Sequence, residues 1–497
     1  MNQRTRLATL AIIVFSMAAG LACNQAPTSA TASASVAKIP ITTKSEEAKN
    51  EFVQGRDLAE RLLGHDSIQH FQKAVALDPD FASAELAWAN SAPTAKEFFE
   101  HLNKAVSLSD KASEGEKLLI LSNQSGANGD VTRQKEYCER LVAAYPKDER
   151  AQATLGGYYF GQQDLVQTIE HLKRATELAP NYSPAYNTLG YAYRQSGDYA
   201  NAEQAFKKYI DLIPNDPNPY DSYAELLLKM GKFEESVLQY RKALSLDANF
   251  NPSRFGISAD LMYLGKASDA ETELKTMEGR ARNDGELRTT YFAMAVLASD
   301  SGKYDKAQQA MDKEYAVAEK KNDVAAMAAD LQAKGNIALA AQQYAAAKQH
   351  FDRSFQMVQT SSLSQEIKDN AARVHHFNLA AIAIEKRDLT TAKSEAEEFR
   401  KAAEASNNAI QLKLVHELAG RTALAQKDYD QAIAELEQAN QQDPRNLYRQ
   451  GLAYQAKGDA AKAHEYFSQA AEFNSLPALP YAFIRTKAQK LAAATKA

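Results

Sequence analysis

The residues that most often carry chemistry are scattered along this chain rather than gathered. Nine histidines occur, and apart from His375-His376 they fall singly. Adjacent residues on a helix point about 100° apart, so that pair is badly placed to share a metal. Ligands on one helix need i, i+3 or i+4 spacing, as in HExxH, and no such motif is present. The serine elbow GxSxG, the phosphate loop GxxxxGK followed by Ser or Thr, and the dinucleotide motif GxGxxG are also missing. Acidic pairs such as Glu46-Glu47 and Glu397-Glu398 suit solvated helix faces. Cys138 stands where a small buried apolar side chain belongs, and the lone tryptophan, Trp88, reads as core as well. No catalytic residue, metal site or cofactor is expected, and the chain reads as a non-enzyme.

The elements behind these residues are helical and repetitive. A single core stops growing at roughly 250–300 residues, and this chain has 497. Strong helix formers dominate, and the 21 glycines and 14 prolines return at intervals that suit turns. Apolar positions follow i, i+3, i+4, i+7, and period-2 alternation is absent. The net charge of −5 gives no basic face for nucleic acid. Two cysteines, Cys23 and Cys138, cannot make a disulfide framework.

The amino terminus has a different character. Arg4 and Arg6 precede an apolar run from Leu7 to Leu21. That run is shorter than the roughly 20 residues of a spanning helix and suits the apolar region of an export signal over residues 1–22. It ends in Gly20-Leu21-Ala22-Cys23, which resembles the lipobox of bacterial lipoproteins. That resemblance implies cleavage before Cys23 and acylation of its thiol. Gly20 and Ala22 equally suit ordinary signal peptidase, which would leave a soluble periplasmic or secreted protein. Residues 23–46, rich in Ser, Thr, Ala and Pro, read as a flexible tether.

The clearest repeat begins at Ser183. Tyr186, Leu189-Gly190, Tyr193, Ala202, Phe206, Tyr209 and Pro214 surround the turn Gly197-Asp198-Tyr199. This unit resembles the tetratricopeptide-repeat consensus at nearly every signature position, and its spacing recurs in both directions. Leu155-Gly156, Tyr159, Leu172 and Ala175 lie one step back, and Tyr223-Ala224, Gly231, Tyr240 and Ala243 one step forward. After about residue 280 the period lengthens. Turns remain at Gly302-Lys303, Gln342-Gln343, Arg387-Asp388, Lys427-Asp428 and Gly458-Asp459, followed by Ala307, Ala347, Ala392, Ala432 and Ala463. Met357–Val374 reads as the longest insertion. The resemblance implies an all-α fold, an α-solenoid of about 12 stacked hairpins in a right-handed superhelix. The regular array would cover 47–280, looser repeats 281–476, and a C-terminal capping helix 477–497.

In arrays of this family the first helix of each hairpin, helix A, lines the concave face. Register then assigns partner contacts to Phe160, Asn187, Tyr191, Arg194, Asp221, Glu225, Lys229, Phe255, Met262 and Tyr263, all expected to be exposed. Asp221 could instead be a helix cap. Aromatics, Met and Arg are enriched in protein-binding patches. The resemblance implies a scaffold that binds a protein or peptide in the cell envelope, lipid-anchored on its periplasmic or outer face. Two alternatives stay open: a lipoprotein that captures glycan or peptide, and a factor for outer-membrane or pilus assembly. The lysine/asparagine carboxylate clamp of chaperone-binding relatives is not found. Labelled fatty acid should enter the wild-type chain and not a Cys23→Ser variant. An unlabelled wild type would eliminate the anchor.

Overall fold

A computed structural model describes residues 38–406 and 408–495. The export signal expected over residues 1–22 and the expected lipidation site Cys23 lie outside these residues. The described residues contain helices and no strand, as expected for the all-α solenoid. The chain divides into two compact units, residues up to 226 with 245–247, and the remainder.

The first unit holds five antiparallel hairpins. They are α1 (Glu46–Glu60) with α2 (Gly64–Leu77), α3 (Ala82–Ser91) with α4 (Ala95–Leu108), α5 (Glu114–Asn128) with α6 (Val131–Ala144), α7 (Glu149–Gly161) with α8 (Leu165–Leu178), and α9 (Ser183–Ser196) with α10 (Tyr199–Leu212). Helices α11 (Pro217–Lys229) and α12 (Phe233–Leu246) carry the chain onward. The second unit adds α13 (Asn251–Tyr263) with α14 (Ala267–Gly279), α15 (Asp284–Asp300) with α16 (Tyr304–Lys320), and α17 (Val324–Ala340) with α18 (Tyr344–Gln359). It continues through α19 (Gln365–Glu385) with α20 (Leu389–Ser406), α21 (Ala409–Gln426) with α22 (Tyr429–Gln438), and α23 (Pro444–Lys457) with α24 (Ala460–Ala471). Two short elements follow, α25 (Leu479–Ala482) and α26 (Arg485–Thr495).

Six of the hairpins are clamped at the same place. A Cβ on Gly190 would lie 2.4 Å from the Phe206 ring, one on Gly335 2.3 Å from Phe351, and one on Gly451 2.6 Å from Phe467. Gly55 meets Phe71, Gly156 meets Leu172 and Gly420 meets Leu436 with the same separation in sequence. The missing side chain lets helix A settle onto the large residue of helix B. The alanines expected after the turns, Ala307, Ala347, Ala392, Ala432 and Ala463, are all fully buried.

The turns repeat as faithfully. Gly197 and Gly458 take φ of 81° and 83°, ending helix A in the left-handed region. The next residue caps helix B: Asp198 accepts from Asn201 N at 3.1 Å and Asp459 from Lys462 N at 3.0 Å. Gln342, Arg387 and Lys427 hold the same conformation without being glycine, so the turn signals read in the second half mark real hairpins.

Several of the histidines are hairpin clips. Nδ1 of His70 bonds Glu51 at 2.6 Å, His376 bonds Glu395 at 2.7 Å and His416 bonds Glu435 at 2.8 Å. Each pair joins helix A to helix B at one register position. His101 bonds Glu85 at 2.6 Å and stacks 3.6 Å from Trp88, which is half-buried rather than full core. Burial pushes the Cys138 thiol up to about 12, as suits a core side chain.

Three expectations change. The tether read over 23–46 does not extend that far, because residues 38–45 form a strap along the first unit. Ile39 N donates to Asp148 at 2.9 Å, Thr42 N to Glu116 at 3.0 Å and Lys44 N to Asp78 at 3.1 Å. Met357–Val374 is no insertion: α18 runs to Gln359 and the 21-residue α19 starts at Gln365, so longer helices produce the longer period. The tail is not one capping helix. Leu491 and Ala492 of α26 do cover the last hairpin, but residues 473–485 run elsewhere.

Gly335→Ala should destabilise the chain by about 1–3 kcal/mol through overpacking against Phe351. Its sign is opposite to the roughly 1 kcal/mol gain usual for Gly→Ala in a helix. Phe351→Leu in that background should restore part of the loss, read from urea midpoints.

Candidate partner-binding surface

In the first unit the register positions of α9 and α11 meet. The Tyr191 hydroxyl donates to Ser222 Oγ at 3.2 Å, and Arg194 Nη1 donates to Glu225 Oε2 at 3.1 Å. The Arg194 guanidinium lies 4.7 Å from the Tyr191 ring centroid, and that ring meets Phe206 edge-on at 5.2 Å. Burial, followed by the Glu225 charge, raises the Tyr191 hydroxyl well above its ordinary value. Beneath them Asn218 donates to the Tyr209 hydroxyl at 2.9 Å. Phe160, on α7, does not join this group.

The exposure expected of these positions needs correcting. Asn187, Asp221, Glu225, Phe255 and Met262 are buried, and Phe160, Tyr191, Arg194, Lys229 and Tyr263 are half-buried. Helix-A side chains interlock with the next helix A, as Arg194 does with Glu225, so register overstates their access to water. Asp221 lies inside α11 and is not its cap.

In the second unit Lys229 and Tyr263 hold the segment after α24. Lys229 Nζ donates to the Phe473 carbonyl at 2.5 Å and sits 3.9 Å from that ring's centroid. The Tyr263 hydroxyl donates to the Ser475 carbonyl at 2.5 Å. The Tyr481 hydroxyl closes the segment by donating to the Ala471 carbonyl at 2.7 Å and accepting from Asn474 N at 3.2 Å. Arg485 then forks onto Asp300, with bonds of 2.7 and 2.5 Å. Around these bonds Leu479, Tyr481, Phe483 and Ile484 pack on Val296, Met311 and Leu447 in one apolar cluster.

The sequence reading missed Asp300 and Arg485, and it missed two buried charge clusters. Arg288 forks onto Asp330 at 2.7 Å for both bonds, with Glu314 3.3 Å away. Glu417 accepts from Arg449 at 2.9 Å and pairs with Arg421 at 3.5 Å. Burial works against the Glu417 charge, yet Arg449, Arg445 and Arg421 hold its carboxyl at about 2. A lone charge in a stretch of small apolar residues, such as Asp330 within VAAMAADLQA, was the available signal. Among the described residues no group of His, Cys, Asp and Glu could hold a metal, and no helix is long and apolar enough to cross a membrane.

The family model described as "Tetratricopeptide repeat" matches residues 183–216, 218–250, 415–446 and 444–475. The chain therefore carries tetratricopeptide repeats in both units, and repeats of this class bind protein or peptide partners. No curated protein sequence matches it. Solved structures similar to it include yeast Tom70, 14% identical, covering 80% of this chain and 100% of that one with a TM-score of 0.47. Another is the Cut9–Hcn1 hetero-tetramer of the APC/C, at 14% identity, 90% and 76% coverage, and a TM-score of 0.42. A third is a tetratricopeptide repeat protein from Parabacteroides merdae, at 16% identity, 55% and 98% coverage, and a TM-score of 0.35.

One turn before Tyr263, Asp260 is fully buried on α13, and neither carboxylate oxygen meets hydrogen-bond geometry with a partner. Burial pushes this carboxyl up to about 8; Ser236 opposes the shift and Glu234 adds to it. The folded chain thus keeps a proton that the unfolded chain releases near its ordinary value of 3.8. The stability tied to that proton is complete below that value and is lost as pH rises towards about 8, by roughly 1.4 kcal/mol per pH unit. Asp260→Asn should melt near the wild type at pH 4.5 and well above it at pH 8. Parallel melting profiles would contradict this.

Proposed function

We propose that this chain is a non-enzymatic scaffold of the bacterial cell envelope, anchored by lipid on Cys23, that binds a protein or peptide partner on its helix-A faces. One observation carries the binding part. Lys229 and Tyr263, assigned to partner contact by register alone, hold the main-chain carbonyls of Phe473 and Ser475. A face that captures carbonyls and aromatic rings takes extended peptide, because main-chain bonds supply affinity and side-chain pockets supply selectivity. The export signal and the lipobox-like residues ahead of Cys23 support the envelope location.

A photo-crosslinking residue in place of Phe160 should capture a discrete partner in intact cells. The same residue at Val166, which is 75% exposed on helix B of that hairpin, should capture none. Equal capture at both positions, or none at either, would reject the helix-A face as the binding surface.

A further inference from the structure

The second unit covers part of its helix-A face, around Lys229, Tyr263 and Asp300, with its own chain. Residues 473–478 have no helix, and only the single turn α25 follows before Arg485. This stretch is held as a foreign peptide would be, by Lys229 and Tyr263 on its carbonyls and by Asp300 on its one arginine. The Asp300–Arg485 pair is nearly dry, with 4% and 9% of the two side chains exposed. A carboxylate so enclosed demands a cation, and the parallel bonds to Nε and Nη2 fit the planar guanidinium fork rather than an ammonium. The Tyr263 ring lies 5.0 Å from that guanidinium, a second feature selective for arginine. Tyr304 meets Phe483 at 6.4 Å, so the surface also takes an aromatic side chain.

We propose that the surface formed by Lys229, Tyr263, Val296 and Asp300 is a peptide-binding site that residues 473–485 occupy in cis, and that its partner is an extended peptide bearing an arginine beside aromatic and aliphatic side chains, which displaces them. The inference rests on the helix-A reading above. Because α24 and α26 hold both ends of the segment, its effective concentration is high, and a competitor must bind more tightly than the segment does or meet it loosened.

The test uses the full chain. Arg485→Glu puts two carboxylates face to face and should free the segment. Amide hydrogen exchange over 473–484 should quicken at least tenfold, while α13, α15 and α17 keep their rates. The variant should then bind a fluorescent peptide of residues 472–495 at micromolar concentration. Wild type should not bind it, and neither protein should bind the peptide carrying Arg485→Glu. Faster exchange across the whole unit would show the segment to be ordinary core and overturn the proposal. Unchanged exchange, a freed segment with no peptide uptake, or equal uptake by wild type would also overturn it. Crosslinking at Phe160 concerns the first unit, so it stands or falls separately.

Discussion

The structure depends on how closely two helices of a hairpin can approach. Where Gly190 faces Phe206 or Gly335 faces Phe351, the glycine has no Cβ and the ring fills the space. This fixes the distance between the helices and their rotation about each other. Every helix-A residue then points in a repeat-defined direction, which is why Tyr191 and Arg194 reach Ser222 and Glu225. Elements in a repeat array touch only their neighbours, so each of these hairpins has to carry its own clamp.

The polar residues follow the same logic. Asp198 and Asp459 satisfy the first amides of helix B. A histidine and a glutamate tie the two helices at a constant place, with the histidine on helix B in His70–Glu51 and on helix A in His416–Glu435. The wide spacing that disqualified these histidines as metal ligands places each of the clips in a different hairpin. The charged clusters around Arg288 and Glu417 act differently, since like Arg194–Glu225 they join successive hairpins.

Much of this was legible beforehand because the repeat is local. Gly197-Asp198-Tyr199 announces a left-handed residue, a cap and a helix within three positions, and the looser Lys427-Asp428-Tyr429 does the same where the period has drifted. Contacts between residues remote in sequence were not legible. Nothing near Ser475 indicates that its carbonyl meets Tyr263, and nothing near Thr42 indicates Glu116. Access to water along the candidate face was not legible. Register gives the direction of Asp221 or Met262 from its own helix, whereas burial depends on the neighbouring one.

The strap along the first unit has a consequence for distance. Its first described residues, Lys38 and Ile39, are bonded to Glu149 and Asp148. Only residues 24–37 therefore separate Cys23 from a fixed point on the array, and even fully extended they span no more than about 50 Å. On the proposed anchoring, the first unit is kept on a short leash. Its partner must come to the membrane surface, and the array cannot reach across a wide gap to find it.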